Sequence, residues 1–225
     1  ASGNEPLALF PEGATLKNWQ VAVIPNKYPA LENSGTCPVP GKRGIYTYLS
    51  GNGRHELVVT RDHDNNFSKL SLAEAEALFR VFKERYVELD KDACVEYVSL
   101  FHSWGPNAGA SVYHPHYQIM AMPILPPDIK RSLLGSAEYC KKTKRCVHCD
   151  ILTQEKAENK RVIYENESAI AIAPFASRQP FEVRIFPKEH PPHFTDSSPS
   201  VYKSVADVLW NVLKKMEVHL NDPDY

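Results

Sequence analysis

The sequence has no excess of charge of either sign and no long apolar run. Its 225 residues include 26 Lys and Arg against 27 Asp and Glu, which gives a formal net charge of -1. Proteins that bind nucleic acid usually show a basic excess or stripe, so we expect no nucleic-acid partner. An apolar run of the ~20 residues that cross a bilayer is missing, and residues 1–5 lack the charged-then-apolar pattern of a signal segment. We therefore expect a soluble, cytoplasmic protein with no membrane partner.

Cysteine is also scarce, with five residues in the chain. An odd number in a chain of this length argues against the disulfide framework of a secreted protein. Cys37, Cys94 and Cys140 have no other cysteine close in sequence to pair with, and we interpret them as packed or surface thiols. Cys146 and Cys149 have the C-x-x-C spacing with which two thiolates hold one zinc ion.

Two stretches of the chain repeat one pattern. Each has two predicted strands joined by a proline-marked turn, and the second strand ends in an acid-histidine pair. The stretches are 21–63 and 170–190, and the longer turn of the first predicts an insertion at about residues 35–53. Each stretch is followed by a predicted helix with one apolar face, over 72–89 and 201–220.

These elements predict an α+β fold in which helices pack on an antiparallel sheet. Residues 1–135 would form the first repeat, and residues 136–225 the second. Two more strands, Val95–Phe101 and Tyr117–Met122, follow the first helix, and the second repeat has no counterparts for them. The cysteine pair expected in the first repeat would fall at or before Ala1. We therefore expect the sequence to be a fragment that lacks both ends.

Polar side chains alternate along the second of these additional strands. His114, His116 and Gln118 occupy every second position, so all three are expected to face one side. Buried imidazoles and amides need hydrogen-bond partners or a ligand, which favours a pocket; a solvated edge strand is the alternative. In the turn before them, Gly109 and Ser111 would offer backbone N–H groups and a hydroxyl to phosphate oxygens.

The acid-histidine pairs suggest further metal ligands. His190 is expected to join Cys146 and Cys149 as the third ligand of a zinc ion. Its counterpart in the first repeat, His63, would bind a metal ion together with His114. A redox role for the cysteine pair is less favoured because the pair follows a lysine-rich loop and no βαβ pattern surrounds it, and unliganded thiols are the remaining alternative.

These assignments leave His116 free to react. A neutral imidazole can attack phosphorus, and its phosphoramidate is labile enough to pass the group on, which suits a two-step transfer. Gln118 would donate an uncharged hydrogen bond to the same phosphoryl group. An amide at this position, unlike an acid or a base, would not help water to compete with the second substrate.

Several motifs belong to one larger pattern that covers nearly the whole chain. They are residues 19–31, Arg61-Asp62-His63-Asp64, Gly109-Ala110-Ser111, His114-Pro115-His116-x-Gln118, Cys146-x-x-Cys149-Asp150, Pro174-Phe175, Pro180-Phe181-Glu182-Val183 and Pro187-Lys188-x-His190. This pattern resembles the galactose-1-phosphate uridylyltransferase family, the transferase branch of the histidine triad superfamily. The resemblance implies two histidine-triad repeats and a homodimer.

The resemblance also implies roles for individual residues. It places a covalent uridylyl intermediate on His116, with Gln118 in support, and zinc at His63 and His114 with an upstream cysteine pair.

The same resemblance assigns the nucleotide contacts. Asn26 and Ser111 match family positions that hold the nucleotide and its phosphates, and Gly109 belongs to the same turn as Ser111. Ser103 stands where many members have Asn in a Phe-x-Asn-x-Gly motif, so one nucleotide contact is altered here.

The resemblance implies a nucleotidyltransferase whose substrates are a nucleotide-sugar and a sugar-1-phosphate. The family shuttles UMP between glucose-1-phosphate and galactose-1-phosphate, and this is the function we predict, with zinc as the cofactor. One alternative is an ADP-sugar phosphorylase or nucleotide hydrolase of the same superfamily. Another is a zinc-stabilised nucleotide-binding protein without catalysis.

Overall fold

The structure is a computed structural model that describes residues 5–225. Residues 1–4, which belong to the segment expected to lack a signal pattern, lie outside the described residues. Within 5–225, no helix is both long enough and apolar enough to cross a membrane.

The described chain contains ten strands and four α-helices, and the predicted α+β class is confirmed. In chain order the elements are β1 (Ala8–Phe10), β2 (Val21–Pro25), β3 (Gly41–Arg43), β4 (Tyr46–Tyr48), β5 (Arg54–Thr60), α1 (Leu72–Asp90), β6 (Tyr97–His102), β7 (His116–Met122), α2 (Pro127–Thr143), α3 (Val147–Glu158), β8 (Val162–Glu165), β9 (Ala169–Ile172), β10 (Arg184–Pro187) and α4 (Pro199–Leu220).

These elements form two compact units. The division into repeats at residues 135 and 136 stays a prediction. The first unit contains the described residues up to Lys69, Arg80–Leu125 and Asp222–Tyr225, and the second contains Leu70–Phe79 and Pro126–Asn221.

The first unit is built on an antiparallel sheet in the order β1-β2-β5-β7-β6. Side chains of β7 alternate in burial, because successive residues of a strand face opposite sides. Tyr117 and Ile119 are buried, whereas His116 and Gln118 are half-buried. The buried side chains face α1, where the ring of Phe82 lies edge-on to Tyr117 with centroids 5.2 Å apart. The other face of β7 carries His116 and Gln118, followed by Met120 and Met122.

An extra hairpin, formed by β3 and β4, occupies the insertion predicted in the first unit. An isolated bridge between Glu32 and Asn52 closes the base of this loop. The side-chain oxygen of Asn52 also accepts a hydrogen bond from the Ser34 N–H at 2.9 Å. The longer connection between β2 and β5 is therefore a folded element in its own right.

Cys37 and Cys94 form a disulfide bond, with Cα atoms 5.0 Å apart. The interpretation of both residues as separate thiols is therefore wrong. Cys37 lies in the inserted loop and Cys94 follows α1, 57 residues further along the chain. Only the folded chain brings them within bonding distance, so their spacing in sequence carries no signal. Cys140 is an exposed free thiol, in agreement with the sequence.

The two predicted helices, α1 and α4, both begin at side-chain caps. The N–H and hydroxyl of Ser71 donate to the Glu74 carboxylate at 2.8 and 2.7 Å, and the Glu74 N–H lies 3.3 Å from the Ser71 Oγ. This reciprocal arrangement is a capping box. At α4, the Ser198 Oγ accepts from the Val201 N–H. Both helix predictions are confirmed.

The second unit contains an antiparallel sheet in the order β10-β9-β8. Helix α4 packs on one face of this sheet, and its core consists of Ala169 and Ala171 of β9 against Val208 and Val212 of α4. Small alanine side chains on β9 let the helix approach the sheet closely.

Helices α2 and α3 have no counterpart in the sequence prediction. No residue of α2 is buried, but its apolar residues Ile129, Leu133, Ala137 and Cys140 recur at helical spacing, a pattern that the sequence prediction overlooked. The lysine-rich segment 141–145, interpreted as a loop, is helical as far as Thr143, and that interpretation is wrong for most of the segment. Lys144 ends the helix in the left-handed conformation with φ of 60°. Cys146 then caps α3 directly.

Candidate active site

His116 is the first residue of β7, and a nearby backbone carbonyl orients its ring. Its Nδ1 lies 2.8 Å from the backbone carbonyl oxygen of His114. Because a carbonyl can only accept, Nδ1 carries the proton and the neutral ring keeps a lone pair on Nε2. Among residues 5–225, no group makes a hydrogen bond to that Nε2. The Nε2 lone pair of the neutral ring is therefore not used in a hydrogen bond within the described residues, and His116 shares the half-buried face of β7 with Gln118.

Gln118 lies two residues further along the same face of β7. Its Oε1 is 2.9 Å from the Nε2 of His55, which belongs to the neighbouring strand β5. Leu57 of β5 stands opposite Gln118 in the register, so His55 is a diagonal neighbour of the amide. The strand pairing thus places a basic nitrogen of His116 and an oriented amide on one side of the sheet.

His114 lies in the bend before β7 and not on the strand itself. The prediction of three residues alternating on one strand is therefore wrong for His114. The His114 Nε2 is 2.8 Å from the Thr60 carbonyl oxygen, to which it must donate, and this leaves a lone pair on Nδ1. That Nδ1 lies 2.9 Å from the Nδ1 of His63, and the two rings are edge-on with centroids 4.4 Å apart.

The pair of His63 and His114 is suited to a shared metal ion. Two imidazoles on one tetrahedral zinc ion have nitrogens about 3.3 Å apart, a few tenths of an ångström more than in this structure. His63 is exposed and can make that adjustment. The carbonyl of Thr60 fixes the ring of His114, as the outer partners of metal-binding histidines commonly do.

A second group of candidate metal ligands lies in the second unit. Suitable ligand atoms of Cys146, Cys149 and His190 all lie within 4.8 Å of one another. The Cys149 Sγ is 3.4 Å from the His190 Nδ1, close to the roughly 3.6 Å expected when a thiolate and an imidazole share one zinc ion. The structure brings together the three ligands that the sequence predicts.

Asp150 fixes the start of the helix that carries Cys149. It accepts a hydrogen bond from the Tyr139 hydroxyl at 2.6 Å and one from the Arg145 guanidinium at 2.9 Å. The Tyr139 hydrogen bond, with help from Arg145, lowers the pKa of Asp150. The cysteine pair thus sits at a helix start that is tied to the end of α2.

The residues predicted to contact the nucleotide lie in three different segments of the first unit. Asn26 follows β2, and its Nδ2 lies 3.2 Å from the His55 Nε2, next to Gln118. Gly109 and Ser111 lie on the exposed turn that leads to β7, where Gly109 has a positive φ of 84°. Ser103 immediately follows β6 and is half-buried. In the part of the chain that the structure describes, Ser103 and Ser111 make no side-chain hydrogen bond to His116 or Gln118.

Comparison with known proteins places this chain in a family. The sequence matches the family described as a domain of unknown function, DUF4921, over residues 46–220. It is 32% identical to ADP-glucose phosphorylase of Arabidopsis thaliana over 211 residues, and 32% identical to galactose-1-phosphate uridylyltransferase of Thermotoga maritima over 203 residues. The matched segments cover 92% and 89% of this chain. The chain belongs to the DUF4921 family and is a relative of the galactose-1-phosphate uridylyltransferases.

The resemblance read from the motifs is thereby confirmed. A crystal structure of the Arabidopsis thaliana ADP-glucose phosphorylase with bound ADP-glucose matches with a TM-score of 0.83 at 29% identity, covering 97% of this chain and 67% of that one. The chain spans 58% of the length of the phosphorylase and 63% of the length of the Thermotoga uridylyltransferase.

Two further histidines contact the β7 residues of the site, and sequence spacing gave no signal for either. His55 binds Gln118, as described above. His102 of β6 donates from Nδ1 to the carbonyl of His116 at 2.8 Å, and its ring stacks on Tyr117 with centroids 4.4 Å apart. Burial lowers the pKa of His102. His55 thus lies beside Gln118 on the polar face, whereas His102 lies with Tyr117 on the face towards α1 and contacts His116 through its backbone carbonyl.

Proposed function

We propose that this chain carries the nucleophile of a nucleotidyltransferase, and that His116 accepts a nucleoside monophosphate from a nucleotide-sugar. The observation that supports the proposal is the ring of His116, whose Nδ1 proton is held by the His114 carbonyl while Nε2 stays basic and open. An imidazole in this state can attack phosphorus without first losing a proton.

In the first step, Nε2 of His116 attacks the α-phosphorus of the nucleotide-sugar. A P–N bond forms, the bond from the α-phosphorus to the bridging oxygen breaks, and the sugar-1-phosphate leaves with that electron pair. The ring becomes positively charged, and the Nδ1–H···O=C bond to His114 strengthens as charge develops. In the second step, a phosphate oxygen of the acceptor attacks the same phosphorus, and the electrons of the P–N bond return to Nε2.

The neighbouring residues would stabilise the charge that develops on the phosphoryl oxygens. Gln118 offers an uncharged amide on the same face as His116. The turn at Gly109 and Ser111 would supply backbone N–H groups and a hydroxyl. Asn26 would hold the nucleotide, as would Ser103 in the position where many relatives have Asn.

We propose zinc as the metal of both histidine sites. His63 and His114 would hold one ion, and Cys146, Cys149 and His190 would hold another. Zinc with such ligands stabilises a fold and orients the side chains bound to it, without taking part in redox chemistry. At His114 this would fix the backbone whose carbonyl orients His116.

The named relatives suggest two donor and acceptor pairs. We propose first the transfer of UMP between UDP-glucose and galactose-1-phosphate, which corresponds to the uridylyltransferase relatives. The second candidate is the transfer of AMP from ADP-glucose to inorganic phosphate, supported by 32% identity to an ADP-glucose phosphorylase over 92% of this chain. The same nucleophile serves both reactions.

Labelling with donors that carry radioactive α-phosphorus tests the proposal. The full-length protein is incubated with UDP-glucose or ADP-glucose, and label that is acid-labile and base-stable is expected on the protein. His116→Ala should abolish it, and His219→Ala, which removes an exposed histidine of the second unit, should not. No label with either donor, or label that persists in His116→Ala, overturns the mechanism.

A further inference from the structure

His55 is engaged on both of its ring nitrogens. The backbone N–H of Ala30 lies 3.1 Å from its Nδ1, and the Oε1 of Gln118 lies 2.9 Å from its Nε2. The residue is half-buried in β5. Asn26 packs against the same ring, with its Nδ2 3.4 and 3.2 Å from the two ring nitrogens.

The backbone N–H of Ala30 fixes the tautomer of this ring. An N–H group can only donate, so Nδ1 of His55 must accept and carries no proton. The neutral ring then has its proton on Nε2, which can only donate. Its partner on Gln118 must be the amide oxygen and not the amide nitrogen. The NH₂ group of Asn26 therefore has Nδ1, at 3.4 Å, as its acceptor on this ring.

The tautomer in turn fixes the amide of Gln118. With its oxygen held by His55, the NH₂ group of Gln118 points away from His55. Rotation of the amide by half a turn would set the NH₂ group against the Nε2–H of His55, so two donors would meet and one hydrogen bond would be lost. The backbone N–H of Ala30 thus determines, through His55, that the NH₂ group of Gln118 is the end of the amide left free.

This orientation matters for phosphoryl chemistry. Phosphoryl oxygens carry negative charge and accept hydrogen bonds, so an amide stabilises them through its NH₂ group and opposes them through its oxygen. We propose that His55 is a positioning residue that keeps the NH₂ group of Gln118 directed at the phosphoryl group on His116. The inference rests on the proposed nucleotidyl transfer, but the tautomer and the amide orientation can be tested without it.

The kinetic test compares His55→Phe in two backgrounds. Phe keeps a ring in the same place but cannot donate to Gln118, so the rate constant for labelling His116 with α-labelled donor should fall roughly tenfold, while the donor concentration at half-saturation changes less than about threefold. In the Gln118→Ala background, His55→Phe should cause a much smaller further loss, because the larger part of its effect passes through that amide and only the contact of His55 with Asn26 remains to be lost. An equal loss in both backgrounds overturns the inference.

A rescue variant and a spectroscopic measurement test the role of His55 in two further ways. His55→Gln retains an NH₂ donor that can reach the Gln118 oxygen, and it should recover most of the lost rate. The ¹⁵N spectrum of the imidazoles in the wild-type protein should show Nε2 as the protonated nitrogen of His55, with His55→Phe assigning the signal. A proton on Nδ1 contradicts the inference even if transfer to His116 occurs. If no nucleotidyl-His116 forms at all, the proposed function fails while the spectrum still decides the tautomer.

Discussion

Arg85 of α1 and Glu56 of β5 form an ion pair with two parallel hydrogen bonds, Nε to Oε2 at 2.9 Å and Nη2 to Oε1 at 2.8 Å. Both side chains are largely buried, with 15% and 4% exposed. Glu56 follows His55 in β5, so this pair anchors to α1 the strand whose opposite face carries the proposed site. The helix and the site strand are thus joined by a buried charge contact as well as by apolar packing.

We predict that Arg85→Met destabilises the protein by about 3 kcal/mol, because it leaves the Glu56 carboxylate buried without its partner. The double variant Arg85→Met with Glu56→Met should recover much of that loss, since no charge then remains buried. Urea unfolding at neutral pH measures both changes. Glu88→Gln at the exposed pair with Lys91 is the control and should change stability by less than about 1 kcal/mol. If Arg85→Met behaves like this control, the ion pair does not anchor β5.

Gln118→Glu is predicted to slow nucleotidyl transfer to His116. The substitution keeps the shape of the side chain but brings a negative charge towards the phosphoryl oxygens, and we expect the labelling rate to fall by more than about tenfold. Rapid-quench measurement with α-labelled donor gives the rate constant. Gln179→Glu, an exposed position of the second unit, serves as the control and should label at the wild-type rate. An unchanged rate in Gln118→Glu would place the phosphoryl group away from this side chain.

Cys149→Ser is predicted to lower the zinc content of the purified protein. Cys149 supplies one of the clustered ligand atoms, and a serine hydroxyl is a much weaker ligand for zinc than a thiolate. Mass spectrometry of the metal, expressed per protein chain, measures the effect. Cys140→Ser changes an exposed free cysteine outside the cluster and should retain the full content. Equal zinc in the two variants would exclude Cys149 as a ligand.

His102→Phe is predicted to reduce the loss of stability in mild acid. Burial lowers the pKa of His102 below its ordinary value of 6.5 in the folded chain, whereas unfolding restores that value. The unfolded chain therefore binds more protons in this window. The contribution of His102 to the free energy of unfolding is complete above pH 6.5 and is lost as the pH falls towards the folded pKa.

Urea unfolding at about pH 7.5 and about pH 5 measures the difference, since His is the side chain that titrates in this range. The decrease between the two pH values should be smaller in His102→Phe than in the wild type, because Phe keeps the stacking on Tyr117 but binds no proton. An exposed-site variant, His219→Phe, should show the wild-type decrease. Identical decreases in all three proteins would show that the His102 proton is not linked to folding.

Short sequence patterns predicted those helices and strands that depend only on neighbouring residues. The spacing of Ser71 and Glu74 is enough to start α1, because a capping box involves only the first turn of a helix. The alternation from His116 to Gln118 is enough to place both on one face of β7, because strand geometry repeats every two residues.

Contacts between distant segments were not predicted, because they depend on the folded chain and not on a local pattern. The bond between His55 and Gln118 joins residues 63 apart, and the disulfide between Cys37 and Cys94 spans 57 residues. Neither pair has a spacing rule, since the inserted loop and the pairing of β5 with β7 determine both. Helix α2 was missed although Ile129, Leu133, Ala137 and Cys140 recur at helical spacing in its sequence; none of its residues is buried.

The group that holds the Nδ1 proton of His116 is a main-chain oxygen, and a substitution cannot remove it as it could remove a side chain. Only a change in the path of the backbone from residue 114 to residue 116 can turn the ring. Pro115, which is fully buried, restricts that path because its ring locks φ. Natural variation at His114 would remove a proposed metal ligand and loosen the backbone that the ion would fix, but it would keep the carbonyl itself. Variation at Pro115 would disturb the proposed nucleophile without touching any proposed ligand or reactive group.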